Sequence, residues 1–130
     1  MEKITLTKPD DWHLHLRGGS AMRSVVRMSA LQMGRGVIMP NLSPPIRNVS
    51  QAIAYRKEIM SALPTGTTFN PLMVLYLTDS TTKNDIIEAS EAQEVHAVKL
   101  YPAGATTNSD SGVTNLSSTY PALEQMQKEG

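Results

Sequence analysis

Two histidines in the stretch DWHLHLRGG, residues 11–19, are the first candidates for chemistry. His13 and His15 are two of only 3 histidines in a chain of 130 residues. Residues two apart in a β-strand lie on the same face, so the two imidazoles would lie side by side. Such a pair is either half of a metal site or a chance pairing, and the spacing alone leaves both interpretations open.

Lys99 is the second candidate, because it interrupts the apolar strand pattern VHAVKLYP, residues 95–102. Burying an unpaired ammonium is strongly unfavourable. One interpretation is that the strand is short and the side chain reaches solvent at its end. The other is a desolvated, neutral amine, which can react with carbon dioxide to form a carbamate. A carbamate has two anionic oxygens and could bridge two metal ions.

Composition narrows the class of protein. Apolar residues make up 40% of the chain, and 12 basic residues balance 12 acidic ones. Without a basic stripe we expect no nucleic-acid partner, and without a long apolar run we expect no membrane partner. The absence of cysteine excludes disulfides and thiolate metal ligands. The amino terminus lacks the apolar stretch of a signal peptide, so we expect a cytoplasmic protein, with a plastid or another organelle as the other possibility.

The elements that must position these residues alternate between strands and helices. Short apolar runs predict five strands, at residues 2–7, 11–16, 35–40, 69–77 and 95–102. Apolar residues at helical spacing predict four helices, at residues 20–33, 49–63, 83–93 and 119–130. Gly34 stands where the first helix would have its C-cap, and residues 79–82 offer N-caps for the third.

Four strand–helix units in succession predict an α/β protein with parallel strands and right-handed crossovers. An open doubly wound sheet and the first half of a (β/α)₈ barrel both fit. Polar residues at predicted strand carboxyl ends, among them Arg17, Asn41 and Lys99, favour the barrel, which builds its sites at that face. Because no linker divides the chain, we expect residues 1–130 to be the amino-terminal half of one barrel domain, with no internal boundary.

Four motifs together resemble the amino-terminal part of dihydroorotase, in the form found as a separate polypeptide in many bacteria and in plants. They are DWHLHLRGG, VIMPNLSPP, PLMVLYLTD and VKLYPAGATTNSDSGVT. Many amidohydrolases share the His-x-His-x-Arg pattern, whereas the combination with MPN and KLYPAGATTNS is far more specific. The resemblance extends over essentially all 130 residues.

The resemblance implies a metal centre of two zinc ions at the carboxyl-terminal face of the barrel. His13 and His15 would ligate the more buried ion, and Lys99 would be carboxylated and bridge the two ions. Neutral imidazoles are good zinc ligands, which makes this assignment chemically reasonable.

The resemblance also implies a substrate site and a reaction. Arg17 and Asn41 match positions that hold the substrate carboxylate, and Thr106 and Thr107 match a mobile loop that closes over the substrate. The implied reaction is the zinc-dependent reversible cyclisation of N-carbamoyl-L-aspartate to L-dihydroorotate in pyrimidine synthesis. A homodimer is the implied assembly.

This sequence departs from the family pattern in two respects. Gly18 stands where the family usually has an acidic residue, so a carboxylate beside Arg17 is lost. The family's chains are also more than twice as long, and two further histidine ligands and the catalytic aspartate are expected beyond residue 130. His96 cannot replace them, because it lies three residues before Lys99 on the same predicted strand and so on the opposite face.

These departures leave other functions open. We expect the 130-residue chain alone to be inactive, as a truncated portion of the enzyme. Within the same class of enzymes, a hydantoinase or allantoinase would share the histidine pair and the lysine. A non-catalytic half-barrel that acts as an assembly module is the alternative from a different class.

Overall fold

The structure, a computed structural model, describes residues 2–130. Four strands alternate with four helices along the chain. In order they are β1 (Asp10–Leu14), α1 (Gly19–Gln32), β2 (Arg35–Ile38), α2 (Val49–Ala62), β3 (Asn70–Leu77), α3 (Lys83–Glu91), β4 (Val95–Leu100) and α4 (Tyr120–Glu129). A short 3₁₀ helix, Leu116–Thr119, leads into α4.

The strands form one parallel sheet in the order β1-β2-β3-β4. A doubly wound sheet reverses its strand order at a switch point, whereas a (β/α)₈ barrel adds each new strand on the same side. Here the spatial order follows the chain without reversal, and each helix contacts the next one along the sheet. The α/β class and the first part of a barrel are therefore confirmed.

The main core lies between the sheet and the helices. Its buried side chains come from one face of α1, one face of α2 and the outward face of the strands, and include Met22, Val26, Ala30, Ala52, Tyr55, Ile59, Ile38, Met73 and Leu75. A smaller cluster of Leu77, Ile86, Val113 and Ala122 seals the carboxyl end of β3 against α3 and α4. Because the helices pack against one face of the sheet, side chains on its opposite face are not part of this main core.

Side-chain hydrogen bonds cap the N-termini of two of the four helices. The Asn48 side chain accepts a hydrogen bond from the backbone of Gln51 at the start of α2. Thr82 and Asp85 form a capping box at the start of α3, which confirms an N-cap within residues 79–82. Both caps define the residue at which the helix begins after the preceding loop.

The prediction of an edge strand at residues 2–7 is wrong, since residues 2–9 contain no strand. Ile4 and Leu6 are 81% and 82% exposed, so alternating apolar residues alone did not pair this segment with the sheet. A strand needs a neighbour for its backbone hydrogen bonds, and the segment has none among residues 2–130. The predicted cap at Gly34 is also wrong, because α1 ends with Met33 as its C-cap, in an extended conformation.

Candidate functional site

One cleft of about 340 Å³ gathers the residues that the sequence singled out. It lies at the carboxyl ends of the strands, on the face turned away from the helices. The seven predicted site residues that line it are His13, His15, Arg17, Asn41, Lys99, Thr106 and Thr107. They come from four separate stretches of the sequence, so the fold brings together residues that lie up to 94 positions apart along the chain.

The histidine pair owes its position to an irregularity in β1. Asp11 pairs with Gly36 and Leu14 with Ile38, so three steps along β1 match two steps along β2. This bulge lies next to His13, whose backbone N–H donates to the Asp11 carboxylate at 2.9 Å. The strand then ends at Leu14 and His15 follows it. The predicted pairing of the two imidazoles is confirmed, although the strand is shorter and less regular than expected.

The two imidazoles are arranged as two ligands of one ion would be. Their Nε2 atoms are 3.1 Å apart, and their ring centroids are 5.0 Å apart. Two nitrogens at 2.0–2.1 Å from a tetrahedral zinc ion lie about 3.3 Å from each other. Burial lowers the pKa of His15, and the charge of Arg17 lowers it further, which favours the neutral form that binds metals.

Two imidazoles are not a complete zinc site. Within residues 2–130 no group of three or more histidine, cysteine or acidic residues could hold a metal ion. A third donor in the cleft has to come from another kind of side chain, and Lys99 is the candidate that lines the same cleft. The donor set therefore fits zinc in part, with Lys99 available once it carries carbamate oxygens.

Lys99 lies on the cleft side of β4. It is in register with Tyr76 of β3, and paired residues of neighbouring strands point to the same face. Its Nζ atom lies 5.7 Å from the centre of the Tyr101 ring. In the part of the chain that the structure describes, no carboxylate is within ion-pairing distance of this amine. The half-buried Lys99 is thus directed into the site without an acidic partner from residues 2–130.

Arg17 and Asn41 differ in how much of their bonding capacity is already used. Arg17 is exposed, and its guanidinium forms no ion pair within residues 2–130. Asn41 is only 4% exposed, and its side-chain amide donates to the backbone carbonyl of Thr107 at 2.9 Å. In return the Asn108 side chain donates to the Asn41 carbonyl at 3.0 Å. Asn41 therefore binds the loop directly.

The loop after β4 is shaped by its own hydrogen bonds. Ser109 is fully buried; its hydroxyl accepts from the Thr106 N–H at 2.8 Å and donates to the Thr106 carbonyl at 2.6 Å. The sequence predicted a mobile loop, and its mobility stays a prediction. The side chains of Thr106 and Thr107 are exposed and face the cleft, with their hydroxyls free of partners among the described residues.

Three tyrosines support the site and were not predicted to do so. The Tyr76 ring stacks on the Tyr101 ring with centroids 4.9 Å apart, and the Tyr76 hydroxyl donates to the Asn108 carbonyl at 3.3 Å. The buried Tyr101 hydroxyl has no partner among residues 2–130. The Tyr55 hydroxyl donates to the Arg17 carbonyl. Tyr76 and Tyr101 were part of apolar strand patterns, and Tyr55 was not singled out, so none of the three hydroxyls was considered.

The structure also places two further residues that the sequence analysis discussed, His96 and Gly18. His96 is the extra residue at a bulge in β4, is exposed, and lines a different cleft beside α3 and α4, away from Lys99 as expected. Gly18 is extended at φ −133° and forms the N-cap of α1 without a side-chain hydrogen bond. A Cβ there would lie 3.7 Å from the Leu42 side chain, an ordinary contact distance, so the backbone position accepts a Cβ.

Comparisons with known proteins show what this chain is similar to. No family model matches the chain. The chain is 58% identical over 129 residues to a dihydroorotase of Cupriavidus necator, and 55% identical over 130 residues to one of Halorhodospira halophila. These matches cover 99% and 100% of this chain but only 38% of each relative. The chain thus spans well under half the length of the curated relatives it matches.

Solved structures agree with the sequence matches. A dihydroorotase from Campylobacter jejuni superposes with a TM-score of 0.85 at 36% identity, over 94% of this chain and 36% of that one. A dihydroorotase from Saccharomyces cerevisiae, solved in complex with 5-fluoroorotic acid, gives a TM-score of 0.82 at 37% identity, over 93% and 33%. The resemblance stated from the four motifs is confirmed.

Within residues 2–130, no helix has the length and apolar character needed to cross a membrane.

Proposed function

We propose that this chain is the amino-terminal part of a dihydroorotase, which interconverts N-carbamoyl-L-aspartate and L-dihydroorotate in pyrimidine biosynthesis. The observation that supports this most is the convergence of seven residues from four separate stretches on one cleft. The high identity to proteins named dihydroorotase favours this activity over a hydantoinase or an allantoinase. It also favours an enzyme over a non-catalytic assembly module.

The metal centre follows from the donor atoms in the cleft. His13 and His15 would hold one zinc ion through their Nε2 atoms, which are already 3.1 Å apart. Lys99, once carboxylated, would supply oxygens to this ion and to a second one. Zinc, when bound, polarises a carbonyl oxygen and lowers the pKa of water.

The substrate would be held by its carboxylate. Arg17 offers at the cleft a planar guanidinium that forms no ion pair with the described residues, which suits bidentate binding of a carboxylate. The amide of Asn41 donates one hydrogen bond to the Thr107 carbonyl, and its second N–H could donate to the substrate. The hydroxyls of Thr106 and Thr107 then close the site and exclude water from the ring. The yeast relative's ligand, 5-fluoroorotic acid, is likewise an acid.

The remaining machinery would lie in the rest of a longer polypeptide. Since 129 residues are 38% of the Cupriavidus relative, we expect a complete protein of about 340 residues, with residues 1–130 as the first part of its barrel domain. That remainder would contribute the other zinc ligands and the aspartate that exchanges the proton with the ring nitrogen. We propose a cytoplasmic homodimer with no nucleic-acid or membrane partner.

The test is made on the complete polypeptide. Wild-type protein should bind two zinc ions per active site and open the ring of dihydroorotate. Lys99→Ala should abolish activity and empty at least one metal position, while Lys57→Ala, which removes an exposed lysine of α2, should change neither. Metal content by mass spectrometry and turnover by absorbance decide the outcome. Full zinc occupancy and normal turnover in Lys99→Ala would overturn the role of Lys99.

A further inference from the structure

The backbone at Arg17 is held in an unfavourable conformation. Arg17 lies between the end of β1 and the start of α1, and its φ is +62°. When glycines are set aside, Asn108 is the only other residue within residues 2–130 that has a positive φ. A Cβ disfavours this left-handed region, and arginine lacks the short polar side chain that eases it for asparagine. A contact from elsewhere has to hold Arg17 there.

Tyr55 provides that contact. Its hydroxyl donates to the Arg17 carbonyl at 2.6 Å, across 38 positions of the sequence. Tyr55 is 3% exposed, with its ring packed in the core between α1, α2 and the sheet. Burial raises the pKa of Tyr55, so the hydroxyl stays protonated and able to donate. No other side chain of the described residues donates a hydrogen bond to residues 16–19.

We propose that Tyr55 is a positioning residue that directs Arg17 toward the substrate carboxylate. The left-handed backbone sets the direction of the Arg17 Cα–Cβ bond and so brings the guanidinium to the cleft. Gly18, next along the chain, has no side chain to brace the turn in the way an acidic residue could. The inference rests on the proposed function, in which Arg17 binds the substrate.

The test uses Tyr55→Phe in the complete enzyme. This variant removes one hydroxyl and keeps the ring that fills the core. We expect KM for dihydroorotate to rise about 5- to 10-fold, equivalent to about 1.0–1.4 kcal/mol, with kcat and zinc content unchanged. A merely structural role would lower stability without this split between KM and kcat. Tyr120→Phe, which alters a half-exposed tyrosine of α4, is the matched control and should leave KM unchanged.

A double-mutant cycle separates this inference from the proposed function. Arg17→Ala should raise KM, and adding Tyr55→Phe should then raise it no further, because the two residues act through one contact. An unchanged KM in Tyr55→Phe, or an equal rise with and without Arg17, overturns the positioning role. If instead Arg17→Ala itself leaves KM unchanged, the assignment of Arg17 to the carboxylate fails first.

Discussion

Gly112 is the point at which the loop over the cleft is most sensitive to added volume. A Cβ built on Gly112 would lie 2.3 Å from the Tyr101 carbonyl oxygen, 2.9 Å from the Ser109 carbonyl oxygen and 3.0 Å from the Ala103 nitrogen. All three are backbone atoms, so no flexible side chain can move aside. The substitution Gly112→Ala must therefore displace the loop from the end of β4.

The displacement breaks the pairing that closes the loop. The Val113 N–H donates to the Tyr101 carbonyl at 2.8 Å, and the Ala103 N–H donates to the Val113 carbonyl at 3.0 Å. An overpacked site costs about 1–3 kcal/mol, and each weakened backbone hydrogen bond adds about 1 kcal/mol. With two such bonds weakened, we expect the free energy of unfolding to fall by about 3–5 kcal/mol in total.

Both stability and turnover should report the change. Urea unfolding of the complete protein measures the loss of stability, and kcat should fall because Thr106 and Thr107 shift with the loop. Gly34→Ala is the control, because a Cβ there comes no nearer than 3.7 Å to any atom. Equal stability and equal kcat in the two variants would refute the steric argument.

Three further changes have definite expected outcomes. Replacing Thr106 and Thr107 together by valine should lower kcat and leave zinc content alone, and a normal kcat would remove their hydroxyls from the reaction. Gly18→Asp should stabilise α1 by a few tenths of a kcal/mol as a better N-cap, seen as a higher urea midpoint, whereas no gain would show that the cap does not form. Hydrogen bonds from Thr114 hold the pKa of Asp79 below the usual aspartate value of 3.8, so wild-type stability should fall as the pH drops below that value, and Asp79→Asn should flatten this fall. An equally steep acid profile in both proteins would count against the role of Asp79.

Much of the fold could be predicted from the spacing of apolar residues, because the buried side chains of each helix recur at that same spacing. Val26 and Ala30 of α1 and Ile59 of α2 are fully buried where helical spacing placed them. The segment around Ile4 and Leu6 failed because its pattern met no neighbouring strand to pair with. Local pattern predicts which face is apolar, while pairing depends on what else lies at the edge of the sheet.

The predicted site residues gather at one cleft, but the contacts that support them could not be foreseen. The hydrogen bond from Tyr55 to Arg17 joins residues 38 positions apart, and the one from Asn41 to Thr107 spans 66. No sequence spacing encodes such contacts, because they depend on how the helices settle on the sheet. The left-handed backbone of Arg17 was equally hidden, since arginine gives no signal for a positive φ.

The cleft brings together side chains from the first and the last strand of the sheet. His13 lies on β1 and Lys99 on β4, with two strands between them. In a flat sheet these strands would be about 14 Å apart, at about 4.8 Å per strand. The side chains of both residues nevertheless line one cleft of about 340 Å³. In a barrel the strands tilt and the sheet closes on itself, which would bring donors from the first and the fourth strands toward a common metal centre.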